Sequence, residues 1–425
     1  MTHQEWPRHA AFEAPMQLAS ALLYLCPESP INHQRTTAMK FEAIWLAGAT
    51  VLLCSVTSIV ACTMTARTPS DNPRHSPLDL AVDRAANGYF RNRCHVGISI
   101  VVVEGGHSHF YDYGSTSRDK GALATPRSIY ELASVTKTFT ATLAAQAVVD
   151  GRMSLDGDFR KDLPGDYGNL ARNGRPITLR TLATHHSGMP RDIPDTDALF
   201  ADKNAPDFTA RMVALNRGFD RGRFLAALHD TSLRSVPGEK RVYSNAGFLV
   251  IGLGLEKVYG KPFGQVLRQY ITQPLGMVST GLTLDGSERS RLVSGYDRYG
   301  RITPYHPQNA DAAWGLYAST EDMARYVRWQ LDDNDPAVRL SHQVLTGSTD
   351  DGEAMAWNLG SDRGQPVISH SGGSFGMSSQ VVLYPMQHEG FALLANDACE
   401  GTESALKALA EAIHQGGQPA QTGTD

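Results

Sequence analysis

Along the chain the spacing of hydrophobic and polar positions shifts from strand-like to helix-like and back again. Residues 78–93 place Leu78, Leu80, Val82, Ala85, Tyr89 and Phe90 at helical spacing, which predicts an amphipathic helix. Two apolar-rich runs, 96–104 and 107–113, then flank Gly105-Gly106 in the pattern of a hairpin. In 131–151, Phe139, Leu143, Ala144, Ala147 and Val148 fall on one helical face, and Gly151 ends the run. Further helices are predicted at 177–185 behind Thr178, at 221–229, at 246–259, at 262–271, and at 321–331 with Ser319 or Thr320 as cap. Strand texture returns at 354–359, 366–370, 378–384 and 390–394, and a helix at 404–414 follows. Strands at both ends with helices between them predict an α+β fold. Its antiparallel sheet is flanked by helices and formed by both chain ends, with a mostly helical domain inserted. The implied division is 78–160 with 305–416 for the sheet domain, 161–304 for the insertion and 417–425 for a tail.

The N-terminal part follows another pattern. Residues 1–38 show no period and form an upstream segment without expected structure. After Met39-Lys40, residues 44–62 carry no charge. A basic start, an apolar middle and small residues at the end match a secretory signal, with 39–62 as the whole segment. Ile59-Val60-Ala61-Cys62 resembles the bacterial lipoprotein cleavage box, which makes Cys62 the candidate lipidation site and Met39 the expected start. An uncleaved membrane anchor is the alternative, since the run is long enough to span a bilayer. Either way the body is expected outside the cytoplasm, in the cell envelope and attached to the membrane through this segment. Residues 63–77, rich in Thr, Ser, Pro and Arg, read as a tether.

Composition adds exclusions. A net charge of −5 with no Lys/Arg cluster argues against nucleic acid as a partner. Of five cysteines, Cys94 and Cys399 remain in the expected mature body. They lie just before the first strand of the hairpin and just after the last strand, so a disulfide and two buried thiols both fit. His185-His186 lacks the i,i+4 spacing and nearby carboxylate of a zinc motif, and no metal or cofactor is expected.

The candidate chemistry begins at Ser134-Val135-Thr136-Lys137, where a hydroxyl and an amine three residues apart share one helical face. Spacing alone is weak evidence, because 117–120 and 404–407 repeat it in a polar turn and on a surface helix. Its context is more specific. Ser134-x-x-Lys137 is followed in order by Tyr243-Ser244-Asn245 and His370-Ser371-Gly372. This set resembles the superfamily of penicillin-binding D,D-peptidases and class C β-lactamases, in which S-x-x-K, Y-x-N and K/H-x-G meet at one cleft. Pro237-Gly238, Leu182 to Gly188 and Pro274 to Met277 extend the resemblance, which covers about 78–414.

The resemblance implies a β-lactamase/transpeptidase-like fold and hydrolysis through an acyl-enzyme. Ser134 would attack, Lys137 and Tyr243 would jointly handle its proton, and Asn245 would bind the acyl side chain. His370 and Ser371 would bind substrate, and the Gly373 N–H would join that of Ser134 as oxyanion donor. Histidine at 370, where β-lactamases usually have lysine, shifts the expectation toward a D-alanyl-D-alanine carboxypeptidase or endopeptidase acting on peptidoglycan peptides. A carboxylesterase comes next, then a β-lactamase. Expected substrates are therefore a peptidoglycan-like peptide, an ester or a β-lactam. A non-catalytic penicillin-binding sensor is the alternative from another class. Gly372-Gly373-Ser374-Phe375-Gly376 offers a competing nucleophile, with Asp397 and His414 in α/β-hydrolase order, but hairpin strands follow it where β/α units should.

Overall fold

The structure, a computed structural model, describes residues 67–306 and 311–417. The upstream segment 1–38, the segment 39–62 with Cys62, residues 63–66 of the expected tether, and 418–425 of the tail lie outside the described residues. Among the described residues no helix is long and apolar enough to cross a membrane.

From Arg67 onward the expected tether is docked. Ser70 bridges Tyr113, the Gly114 N–H donates to the Pro69 carbonyl at 2.9 Å, and Asn72 Nδ2 donates to Tyr113 Oη at 2.6 Å. Arg67 and Arg74 both pair with Asp83. Polar composition suggested a loose linker, but here the polar groups pair with one sheet edge and with α1 (Pro77–Tyr89), whose capping box is made by Ser76 and Asp79.

The sheet has eight strands. They are β1 (Gly97–Glu104), β2 (His107–Gly114), β5 (Thr346–Gly347), β6 (Asp351–Glu353), β7 (Asn358–Asp362), β8 (Gln365–Gly373), β9 (Ser378–Tyr384) and β10 (Glu389–Ala395). A separate pair, β3 (Ile129–Glu131) and β4 (Tyr317–Ser319), lies outside it and was not legible in the sequence. The order is β2-β1-β10-β9-β8-β7-β6-β5, antiparallel throughout. Ile98 stands opposite Ala395, so the first long strand lies beside the last and the two chain ends make one sheet. Strand alternation sorts the side chains. Ile98, Ile100, Val102, Phe391 and Leu393 face α1 and α5 (Thr402–Gly417), while Val101, Val103, Ala392 and Leu394 face the larger helical core.

That core surrounds α2 (Thr136–Val149), which runs against α3 (Asn245–Tyr259) and α4 (Thr320–Gln330). The apolar stripe read from the sequence understates the burial of α2, since Thr136, Thr138, Thr140 and Thr142 are buried as well. Their hydroxyls are satisfied: Thr138 donates to the Val135 carbonyl, Thr140 to Ala312 and Thr142 to Thr138. The strand expected at 354–359 starts later, at Asn358. Ahead of it Ala356 has φ +65° and the Ala354 N–H closes a turn onto the Trp357 carbonyl.

Candidate active site

Three elements meet at the mouth of α2. A short 3₁₀ turn, Ala133–Val135, carries Ser134 directly into the helix. Ala133 has φ +46°, a left-handed conformation that costs a non-glycine residue about 1–3 kcal/mol and is held here by packing. The end of β8 lies flush against this turn. A Cβ on Gly372 would sit 2.4 Å from the Leu132 carbonyl oxygen and 2.9 Å from the Ser134 nitrogen, so the third residue of the His370 triplet must be glycine. β7 stops pairing at Ser369, while β9 pairs as far as Gly373, leaving one edge of 370–373 open toward the cleft.

The predicted side chains converge. Lys137 Nζ lies 3.1 Å from Ser134 Oγ, and Tyr243 Oη donates to the same oxygen at 2.7 Å. Lys137 also reaches Asn245 Oδ1 at 2.7 Å and the Ala313 carbonyl at 2.8 Å. Complete burial holds its amine well below the ordinary lysine range. The Asp192 and Glu403 carboxylates oppose that shift, and Arg191 adds to it. Three acceptors would suit an ammonium, whereas burial favours the neutral amine. Both are met if the neutral amine donates across its two shorter contacts and turns its lone pair to Ser134. Burial raises the Tyr243 phenol above its usual pKa, partly offset by its bond to Ser134, so it stands protonated as a donor. This arrangement suits Lys137 as the base and Tyr243 as the proton carrier.

His370 is buried, and that burial lowers its pKa to about 3. The imidazole is neutral at pH 7, with Nδ1 2.6 Å from the Ser371 carbonyl oxygen. Asn245 is already engaged at both ends, its Nδ2 donating to Asp192 Oδ1 at 2.7 Å. One N–H therefore remains for a substrate. His185 supports the tyrosine: its ring lies 4.3 Å from that of Tyr243 and its Nδ1 accepts the Ser244 N–H at 3.1 Å.

The cleft occupies about 990 Å³ and takes in Ser134, Tyr243, Asn245, His370, Ser371 and Gly373. Its wall also includes three residues that sequence reasoning missed, Arg191, Asp192 and Glu403. Arg191 stacks over Phe200 at 3.8 Å. Asp192 lies four residues beyond the Leu182 to Gly188 stretch already singled out, a signal that could have found it. Glu403 begins the last helix and has no motif to mark it.

The competing constellation is dispersed. Ser374 Oγ donates to Glu131 at 2.6 Å, Asp397 contacts His95 at 3.0 Å, and His414 bonds Glu389 and stacks on Tyr384. Cys94 and Cys399 are joined in a disulfide that closes 305 residues of chain.

Comparison with known proteins agrees with this geometry. The Beta-lactamase family model matches residues 82–415. Protein flp of Staphylococcus aureus (strain N315) is 29% identical over 311 residues, covering 71% of this chain and 59% of that protein, so the match spans less than two thirds of the relative's length. A beta-lactamase of Pseudomonas fluorescens is 27% identical over 248 residues, covering 58% of this chain and 63% of that protein. Two solved structures share the fold. A beta-lactamase/D-alanine carboxypeptidase from Pseudomonas syringae has TM-score 0.68 at 21% identity, covering 81% of this chain and all of that one (100%). A class C beta-lactamase mutant has TM-score 0.67 at 19% identity, covering 81% and 99%. With the family model spanning most of its length and the serine, lysine and tyrosine gathered at one cleft, the chain belongs to the beta-lactamase family of serine hydrolases.

Proposed function

We propose that this protein hydrolyses an acyl bond through a covalent acyl-enzyme on Ser134. One observation carries the reading: Ser134 Oγ lies 3.1 Å from a buried amine and 2.7 Å from a half-buried phenol. Lys137 takes the hydroxyl proton as Oγ bonds to the substrate carbonyl carbon. The oxygen of the tetrahedral intermediate falls between the N–H groups of Ser134 and Gly373. Tyr243 then gives a proton to the departing amine or alkoxide as the old acyl bond breaks, and recovers one from Lys137. Water reverses the sequence and releases the acid.

A D-alanyl-D-alanine carboxypeptidase or endopeptidase acting on peptidoglycan peptides is the reading suggested by likeness to the Pseudomonas syringae protein. Neutral His370 offers a terminal carboxylate no cation, which favours the second reading, a carboxylesterase of the same fold. An extracytoplasmic site, attached through the segment that ends at Cys62, is part of the proposal. The Cys94–Cys399 bridge supports it, because disulfides persist in oxidising compartments.

Purified protein tested with a fluorescent penicillin, a nitrophenyl ester and a D-Ala–D-Ala peptide checks both the activity and its class. Ser134→Ala should lower turnover by about 10⁶-fold, as for another serine nucleophile. Ser374→Ala should leave labelling at Ser134 in place. Label on Ser374, or full activity without Ser134, would sink the reading. Slow release of every acyl group would mark a sensor instead.

A further inference from the structure

The flank of the cleft beside Gly373 carries a negative charge with no counter-ion. Glu403 lies in the first turn of α5, and its Oε1 is 2.6 Å from where a Cβ on Gly373 would stand, so the carboxylate covers the backbone of the oxyanion strand. It is exposed to the cleft and lines it. Among the described residues no cationic side chain pairs with it: Lys407, one turn further along, lies 3.8 Å from Glu411. Of the other cations that line the cleft, Arg191 lies nearest Asp192, Arg241 nearest Glu353, Arg298 nearest Glu400 and Arg301 nearest Asp297, and Lys203 makes no ion pair among the described residues. His370 is buried and uncharged, and Lys137 is spent on Ser134, Asn245 and Ala313. The field of Glu403 reaches the reacting groups, acting on both Lys137 and Tyr243, where Arg191 opposes it.

We propose that Glu403 is a charge filter on the leaving-group flank, so that the enzyme accepts substrates whose departing alcohol or amine is neutral or cationic and turns away those that carry a carboxylate there. This rests on the acyl-enzyme reading, with the acyl group on the Asn245 flank and the departing group beside Tyr243 and Glu403. A carboxylate placed there meets a like charge, and among the described residues no cation at ion-pair distance from Glu403 offsets it. It directs the search toward esters or amides with uncharged or aminated leaving groups, and away from peptides whose leaving residue is a free D-alanine.

The test uses esters of one acyl group with three phenols that differ only in a meta substituent: carboxylate, carboxamide or trimethylammonium-methyl. For the wild type, kcat/KM for the carboxylate ester should be about tenfold below that of the carboxamide ester, the ammonium ester should be fastest, and salt should narrow the spread. Glu403→Gln should bring the three rates within about twofold of one another, whatever it does to their common level, and Glu403→Lys should reverse the order. Among esters that differ only in a charge on the acyl part, the ratio of rates should stay the same in Glu403→Gln. A wild-type preference for the carboxylate ester, or a preference unaltered in Glu403→Gln, overturns the filter. Ester hydrolysis that persists in Ser134→Ala overturns the underlying reading instead, so the two failures are separable.

Discussion

Gly372→Ala probes the closest approach in the site. The new Cβ would lie 2.4 Å from the Leu132 carbonyl oxygen, 2.5 Å from Ser379 Oγ and 2.9 Å from the Ser134 nitrogen. Two of these are backbone atoms, and Ser379 Oγ is fixed by its own 2.6 Å bond to the Leu132 carbonyl. Contacts below 3.0 Å are essentially never made by a real Cβ, so the strand end and the serine turn must part by at least about 0.6 Å. One of the displaced elements carries Ser134 and the other the Gly373 N–H. Overpacking of this kind costs about 1–3 kcal/mol of stability, and the fold should survive it. Chemistry should suffer more. Misplacing a catalytic group by about 1 Å costs on the order of 10²-fold, and losing an oxyanion donor about 10²–10³-fold. Single-turnover acylation by a neutral nitrophenyl ester, read beside a thermal melt, should therefore show a loss of roughly 10²–10³ with a shift of only a few degrees. Gly373→Ala is the control. Its Cβ would meet only the tip of Glu403, which can swing away, so acylation should stay within about fivefold of wild type. Equal losses in the two variants, or near-normal acylation by Gly372→Ala, would refute the account of why glycine stands at 372.

Two further outcomes can be stated. Burial holds His342 and His370 at about 3 against an ordinary 6.5, so between those values the unfolded chain binds more protons than the folded one. Stability must then rise with pH across that window and fall on acidification, by roughly 2 kcal/mol per histidine between pH 6.5 and 5. Urea denaturation at the two pH values should show this loss reduced in His342→Asn, and an unchanged loss would count against the assignment. Removing the Cys94–Cys399 bridge with Cys94→Ser and Cys399→Ser should cost about 2–5 kcal/mol in the same assay. Reductant should destabilise the wild type but not the double variant.

What could be read from the sequence was whatever depends on local period or on a spaced triplet. Apolar runs at 96–104 and 390–394 marked β1 and β10, and chain order alone suggested that they would meet. Ser134, Lys137 and Tyr243 were legible because their chemistry fixes residue type and context. The threonines of α2 were harder. A helical wheel assigns Thr138 and Thr142 to a polar face, yet they are buried because their hydroxyls bond to carbonyls of the preceding turn. The start of β7 was misplaced because Ala356 adopts a left-handed turn that no glycine or proline announces. Asp192 and Glu403 act through tertiary proximity alone, one 53 residues from Asn245 in sequence and the other thirty beyond Gly373, and periodicity carries no trace of that.

The docking of residues 67–76 along β2 has a consequence for reach. Should Cys62 carry a lipid, only the six residues 63–68 would separate it from Pro69, whose carbonyl makes the first backbone tie to the body. Fully stretched, that leash spans no more than about 25 Å. The catalytic body would then patrol a thin shell against its own membrane, and substrates would have to come to it.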